Sequence, residues 1–263
     1  MRKTASLHKR TSHLKLNFSL FFLLVIFLCR LNAASFFDYP ISTVILDAGH
    51  GGEDSGAVAS YDFNPDIKEK DIVLDIALKV ESYLSKNLPE IKIIQTRVDD
   101  SFPSLQERSE IAYLIQLDDK SASLFVSIHA NSAEVESAEG FEVYTKLENK
   151  VIYLYDSSTP LENIDLFTAD NLYTLNRKQY DTSYELSSNI LDSVIKSFPQ
   201  ISNRGIKSDD LFVLNVCRTT ACLIEVGFLS NKEEAKLLLD SAYRDRMALA
   251  ISEGIVTTIK NRK

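Results

Sequence analysis

The stretch from Thr43 to Ala57 constrains this chain more than any other. It opens with Thr43-Val44-Ile45-Leu46, a β-branched and aliphatic run that reads as a buried strand. The run breaks into a loop holding Gly49, Gly51, Gly52 and Gly56, and glycine permits positive φ and close approach of backbone to a site. His50 stands in that loop, just beyond the strand end. A second run, Leu124-Phe125-Val126-Ser127-Ile128, ends in the same way at His129, followed by Ala130 and Asn131. The other two histidines, His8 and His13, lie in an N-terminal leader, so the folded part holds only His50 and His129. A lone turn histidine ordinarily bonds to its own loop. Two at matching strand ends predict a pair that meets in space. Zinc is the commonest reason for such a pair, and a catalytic zinc needs a third protein ligand and an open position for water.

Around these runs, strands alternate with helices. Strands are expected at 41–47, 91–95, 124–128, 141–144, 211–214 and 222–226. A helix from Glu69 carries Val73, Ile76, Ala77, Val80 and Leu84 on one face and ends at Asn87 and Pro89. Further helices are expected over 105–117, through Leu186, Ile190, Val194 and Phe198, and over 242–260. This alternation predicts an α/β fold: one three-layer α/β/α domain, residues 35–263, with a mostly parallel twisted central sheet. Residues 147–182 read differently. They are polar and tyrosine-rich, with a short strand-like piece at 151–155 and little helical periodicity before Tyr184. They are expected to be an insertion, with a solvated excursion and a lid or regulatory segment both left open.

The first 34 residues form the leader. Arg2, Lys3, Lys9, Arg10 and Lys15 give a basic start without an acid, and Phe18 to Cys29 is almost wholly apolar. Twelve residues are short for a membrane span and suit a signal-peptide core, which implies export to the periplasm or another extracytoplasmic space. Leu31 or Asn32 fits a cleavage site poorly, so an uncleaved anchor stays open. Cys29 lacks the small preceding residues of a lipid-attachment box. Removing the leader's six positive charges, Arg30 included, takes the net charge from −8 to −14. Such a domain is a poor nucleic-acid binder, because phosphate affinity needs a positive field. Cys217 and Cys222 sit in apolar runs and are expected as buried thiols rather than a disulfide.

The third ligand should be acidic. Glu53 makes a His-x-x-Glu spacing with His50. Glu69 opens a helix, where a carboxylate also suits the positive end of the dipole. Glu225 is embedded in Cys222-Leu223-Ile224-Glu225-Val226-Gly227-Phe228. A buried carboxylate needs a metal, a partner such as Arg97 or Arg108, or a raised pKa, and the last suits it to moving protons near neutral pH.

The chain resembles the zinc-dependent N-acetylmuramoyl-L-alanine amidases of type 3, which cut peptidoglycan. The resemblance rests on Ile45-Leu46-Asp47-Ala48-Gly49-His50-Gly51-Gly52, Glu69-Lys70-Asp71, Thr96-Arg97, Arg108, Ser127-Ile128-His129-Ala130-Asn131, Gly140-Phe141-Glu142-Val143-Tyr144 and Glu225-Val226-Gly227-Phe228-Leu229-Ser230-Asn231, in that order. It covers roughly 41–145 and 183–260. It implies Zn2+ as cofactor, with His50, Glu69 and His129 as metal ligands, so it favours Glu69 over Glu53. It implies Glu225 as the catalytic acid/base. The substrate implied is peptidoglycan or a muropeptide, cut at the amide between N-acetylmuramic acid and L-alanine, in wall remodelling or daughter-cell separation. In some such amidases an insertion near 147–182 plugs the zinc site until an activator protein removes it; here the segment reads as less helical, and self-inhibition is left open. Thr220 departs from the family's usual proline. A monomer is expected.

Three alternatives compete. One is a zinc carboxypeptidase acting on stem peptides, with Glu53 as ligand. Another is a second, serine-type activity, because Ser193-Val194-Ile195-Lys196 fits Ser-x-x-Lys and Ser187-Ser188-Asn189 fits Ser-x-Asn. The third is a degenerate amidase that only binds wall.

Overall fold

The computed structural model describes residues 34–114, 120–168 and 170–262. The leader expected over 1–34 lies outside them but for its last residue, as does the end of the helix expected over 105–117. The strands are β1 (Ile41–Ala48), β2 (Val58–Tyr61), β3 (Asn64–Lys68), β4 (Lys92–Gln95), β5 (Ala122–Asn131), β6 (Phe141–Thr145), β7 (Asn203–Ser208) and β8 (Thr220–Phe228). The helices are α1 (Glu69–Asn87), α2 (Leu105–Leu114), α3 (Leu161–Thr168), α4 (Leu172–Ser197), α5 (Phe212–Asn215), α6 (Lys232–Leu239) and α7 (Ser241–Asn261).

Six strands form one sheet in the order β4-β1-β5-β8-β6-β7. The first four run parallel, β6 is antiparallel to β8, and β7 is parallel to β6. The apolar runs of β1, β5 and β8 are buried along almost their whole length, as expected of strands covered on both faces. One face packs against α1, α4 and α7 through Val73, Ile76, Val80, Ile190, Val194, Ile251 and Ile255. Ile45, Phe125 and Leu223 point the other way, onto Val213, Leu214 and Cys217 around α5, with Ile111 of α2 beside them. The α/β/α layering is the predicted one. Gly254 lets α7 seat on α4: a Cβ there would lie 2.5 Å from the Ile190 α-carbon.

Several local expectations are corrected. Leu211–Leu214, expected as a strand, belongs to the short helix α5 and its N-cap. Residues 151–155 form no strand. The segment 147–182 contains α3 and the first eleven residues of α4, so it is far more helical than its periodicity suggests. Its buried positions explain why. Leu175 is followed on the inner face by Asn176, Gln179, Ser183 and Ser187, which bury by bonding rather than by being apolar. Asn176 Nδ2 donates to the Ile152 carbonyl, Gln179 Nε2 to the Cys217 and Thr219 carbonyls, and Ser183 Oγ accepts from the Ala221 N–H. The loop that opens at Gly49 ends in the β2–β3 hairpin, and β7 and α6 are elements the sequence patterns do not mark. Cys217 and Cys222 are buried free thiols.

Candidate metal centre

The C-terminal ends of β1, β5 and β8 meet at one edge of the sheet, and α1 begins there. His50 lies just past β1 with φ of +59°, a left-handed conformation that a non-glycine residue holds only when its surroundings fix it. Two guanidiniums do so. Arg108 donates to the Ala48 and His50 carbonyls, 2.6 and 2.5 Å, and to the Asp47 carboxylate, 2.7 Å. Arg97 donates to the Ala48, Gly49 and Lys70 carbonyls at 2.8–3.0 Å. Asp47 also accepts from Thr96 Oγ1 and Ser127 Oγ, which ties the end of β1 to both neighbouring strands. Neither arginine pairs with Glu225, so the ion-pair alternative for that carboxylate fails.

His50 Nε2 lies 3.1 Å and His129 Nδ1 3.0 Å from the same oxygen, Glu69 Oε1. The two rings meet edge to face with centroids 4.9 Å apart. One donor atom from each of the three residues falls within 4.8 Å of the others. Glu69 opens α1, and its two oxygens accept the Ala130 and Ala57 N–H groups at 3.0 and 2.8 Å. Burial alone would raise its pKa, but hydrogen bonds from His129 and His50 outweigh this and hold the carboxyl well below the usual range. His50 Nδ1 contacts Asp54 Oδ2 at 2.8 Å. Burial works against protonation of His50, yet bonding to Glu69 and Asp54 raises its pKa overall. Glycine is required around the cluster. A Cβ on Gly49 would lie 2.3 Å from the His129 ring, and one on Gly56 2.5 Å from Glu69 Oε2. Two imidazole nitrogens and one carboxylate, with an outer carboxylate orienting one imidazole, fit a three-ligand metal site. Glu53 is exposed and lies outside the cluster.

Glu225 sits on β8 directly across from His129 on β5. Its Oε2 is buried and has no hydrogen-bond partner among the described residues. Burial pushes its pKa well up, and the nearby Glu69 and Glu142 charges push it further, with Lys207 opposing. Sequence reasoning missed a second carboxylate with the same signature. Glu142, in the apolar run of β6, pairs across the ladder with Glu225 and is buried. It also missed Asp54 and Asp47, which carry no signal beyond lying near a histidine or inside a strand.

A family profile described as N-acetylmuramoyl-L-alanine amidase matches residues 44–257. The chain belongs to the N-acetylmuramoyl-L-alanine amidase family. It is by that membership a peptidoglycan amidase. It is 32% identical over 246 residues to the probable amidase AmiB of Haemophilus influenzae, a match that covers 84% of this chain and 53% of AmiB. The catalytic domain of CwlV from Bacillus (Paenibacillus) polymyxa superposes with a TM-score of 0.64 at 30% identity, covering 84% of this chain and 99% of that one. The CwlD amidase of Clostridioides difficile, solved in complex with the GerS lipoprotein, superposes with a TM-score of 0.63 at 30% identity, over 84% and 99%.

The serine motifs lie elsewhere. Ser193 and Lys196 line a groove of about 550 Å³ on the helical layer, with Tyr83 of α1 and Glu253 of α7. Ser187 is buried against the Ser183 carbonyl, and Asn189 donates to Thr258.

Proposed function

We propose that the chain is a zinc-dependent hydrolase of the amide between the lactyl group of N-acetylmuramic acid and L-alanine, with His50, Glu69 and His129 as metal ligands and Glu225 as acid/base. The observation that carries this reading is the convergence of three donor atoms within 4.8 Å, with Glu225 in register opposite His129. When bound, zinc makes water acidic enough to ionise near pH 7 and polarises a carbonyl. Glu225 takes the proton of the attacking water and returns it to the departing alanine nitrogen. Its dry surroundings favour this, because a carboxylate with raised proton affinity exchanges protons near neutral pH. Glu69 stays ionised, and its backbone donors fix its orientation. Asp54 holds His50 with Nε2 facing the centre.

The leader's composition supports an exported, extracytoplasmic enzyme acting in wall remodelling or daughter-cell separation. No described helix is long and apolar enough to cross a membrane. A monomer is proposed. CwlD was solved with a lipoprotein partner, and a protein activator is proposed here by that analogy alone. The test is digestion of purified muropeptides with and without a chelator, read by mass. Stem peptides with a new N-terminal alanine, lost on chelation and restored by zinc, are expected. Release of C-terminal residues instead would replace the amidase reading with a carboxypeptidase.

A further inference from the structure

Beyond Glu225 the sheet continues through β6 to its edge strand β7, and the cations of this part of the site are concentrated there. Glu142 accepts four donors: Arg204 Nε, Lys207 Nζ, Asn131 Nδ2 at 2.8 Å and the Tyr144 hydroxyl at 2.8 Å. Arg204 and Lys207 both belong to β7 and share this one buried carboxylate, which leaves one positive charge in excess among the three. Their side chains keep about a third of their surface exposed, against 1% for Glu142. Arg204 is braced over the Phe228 ring at 4.8 Å and Lys207 over the Tyr144 ring at 5.7 Å. Asp209, the nearest acid along the chain, accepts the Asp210 N–H at 2.7 Å in its own loop. Both cations retain unspent donors: Lys207 spends one of its three N–H bonds on Glu142, and Arg204 spends two of its five, on Glu142 and on the Glu139 carbonyl. A half-buried cation pair held in place on an acidic chain concentrates positive field beside the site.

The substrate's own charge distribution gives this pair a role. In a muramyl peptide the lactyl carboxyl is consumed in the scissile amide, and the sugar is N-acetylated. The anionic groups near the bond therefore lie on the peptide side. We propose that Arg204 and Lys207 bind a free carboxylate of the stem peptide one or two residues beyond the scissile alanine, and so orient the substrate with its peptide over β6–β7 and its sugar toward β1. This rests on the amidase reading. The distances agree. Glu142 and Glu225 are directly paired, so their β-carbons are about 5 Å apart. The cations reach over Glu142 from the next strand, about 5 Å further. One residue of peptide spans about 3.8 Å, so the carboxylate of the second stem residue falls within that gap.

The test compares synthetic N-acetylmuramoyl-L-alanyl dipeptides whose second residue carries a free α-carboxylate or its amide. The zinc-loaded chain is expected to favour the free acid in kcat/KM, mostly through KM. Lys207→Met and Arg204→Met should each shrink that preference about tenfold, the worth of one charge-assisted contact, and Lys207→Arg should retain most of it. If the variants lower both substrates equally, the pair is structural and the proposal falls. It falls also if the unaltered chain shows no preference. If the unaltered chain cleaves neither substrate, the amidase reading itself has failed.

Discussion

Glu69 and Glu225 are both glutamates in dry surroundings at the same edge of one sheet, yet they are pushed in opposite directions. Glu69 accepts two backbone N–H groups and faces two imidazoles. Glu225 has a buried oxygen with no partner among the described residues and lies near two other carboxylates. One is built to remain an anion and the other to hold a proton. Paired titratable groups whose surroundings drive their pKa values apart mark the division of labour at an active site. Here the division is between holding an ion and moving a proton, and it follows from backbone position. Glu69 sits at the start of a helix, within reach of the Ala57 and Ala130 N–H groups. Glu225 sits on a strand paired on both sides, opposite His129 and Glu142, and no donor reaches its buried oxygen among the described residues.

The largest expected effect tests the first half of this contrast. Glu69→Ala should abolish stoichiometric zinc binding and bring amide hydrolysis to background, measured by metal analysis after dialysis and by product release. Zinc retained at unit stoichiometry would remove Glu69 from the ligand set. Glu225→Gln should separate the two roles. Bound zinc should persist while kcat falls by about a thousandfold, within the span typical of lost general acid–base catalysis. A variant that loses zinc as well would make Glu225 a ligand and erase the distinction. Asp54→Ala acts one shell out. It removes the group that sets the orientation of His50, so zinc affinity should fall by about 10- to 100-fold in competition with a chromophoric chelator, with kcat at saturating zinc far less affected.

The same contrast governs how much of this molecule is legible in its sequence. Glu225 and the strand-end histidines stand out because they break apolar runs, and an unexpected residue in a buried strand demands a reason. The fold class is legible for the same cause: β1, β5 and β8 are continuous aliphatic stretches. Where burial is achieved by polar bonding, the signal vanishes. The first half of α4 turns Asn176, Gln179 and Ser183 inward, so no apolar stripe marks it. β7 is Asn-Arg-Gly-Ile-Lys-Ser, an edge strand with no alternation to read. Its two cations gain meaning only once the strand order places them beside Glu142. Leu211–Leu214 fails differently, since a four-residue apolar run does not distinguish strand from helix without its tertiary setting.

The smallest expected effect is thermodynamic and tests the contrast without turnover. In chelator-stripped protein, Glu225 has a folded pKa above its unfolded value. The stability it lends is full below about pH 4.5 and is lost as the pH rises toward the folded value. Glu225→Gln cannot ionise, so it escapes that loss, and its thermal midpoint relative to the unaltered chain should climb between pH 5 and pH 8. Glu69 has a lowered folded pKa, so its own contribution is intact throughout this window and disappears only in more acid solution. What changes across the window is His50, whose pKa is raised by Glu69 and Asp54. That attraction is present below about pH 6.5 and fades as the pH rises through the folded value. Glu69→Gln forfeits the Glu69 share of it, so its deficit should be larger at pH 5 than at pH 8. Both differences should amount to a few degrees, at about 3 °C per kcal/mol for a domain of this size. The Glu225 variant should therefore start near parity at pH 5 and gain on the unaltered chain as the pH rises, and the Glu69 variant should recover from a deficit without overtaking it. A Glu69→Gln variant more stable than the unaltered chain at pH 8 would mean that this carboxylate, too, is buried at a cost its hydrogen bonds do not offset, and the two glutamates would then differ in degree only.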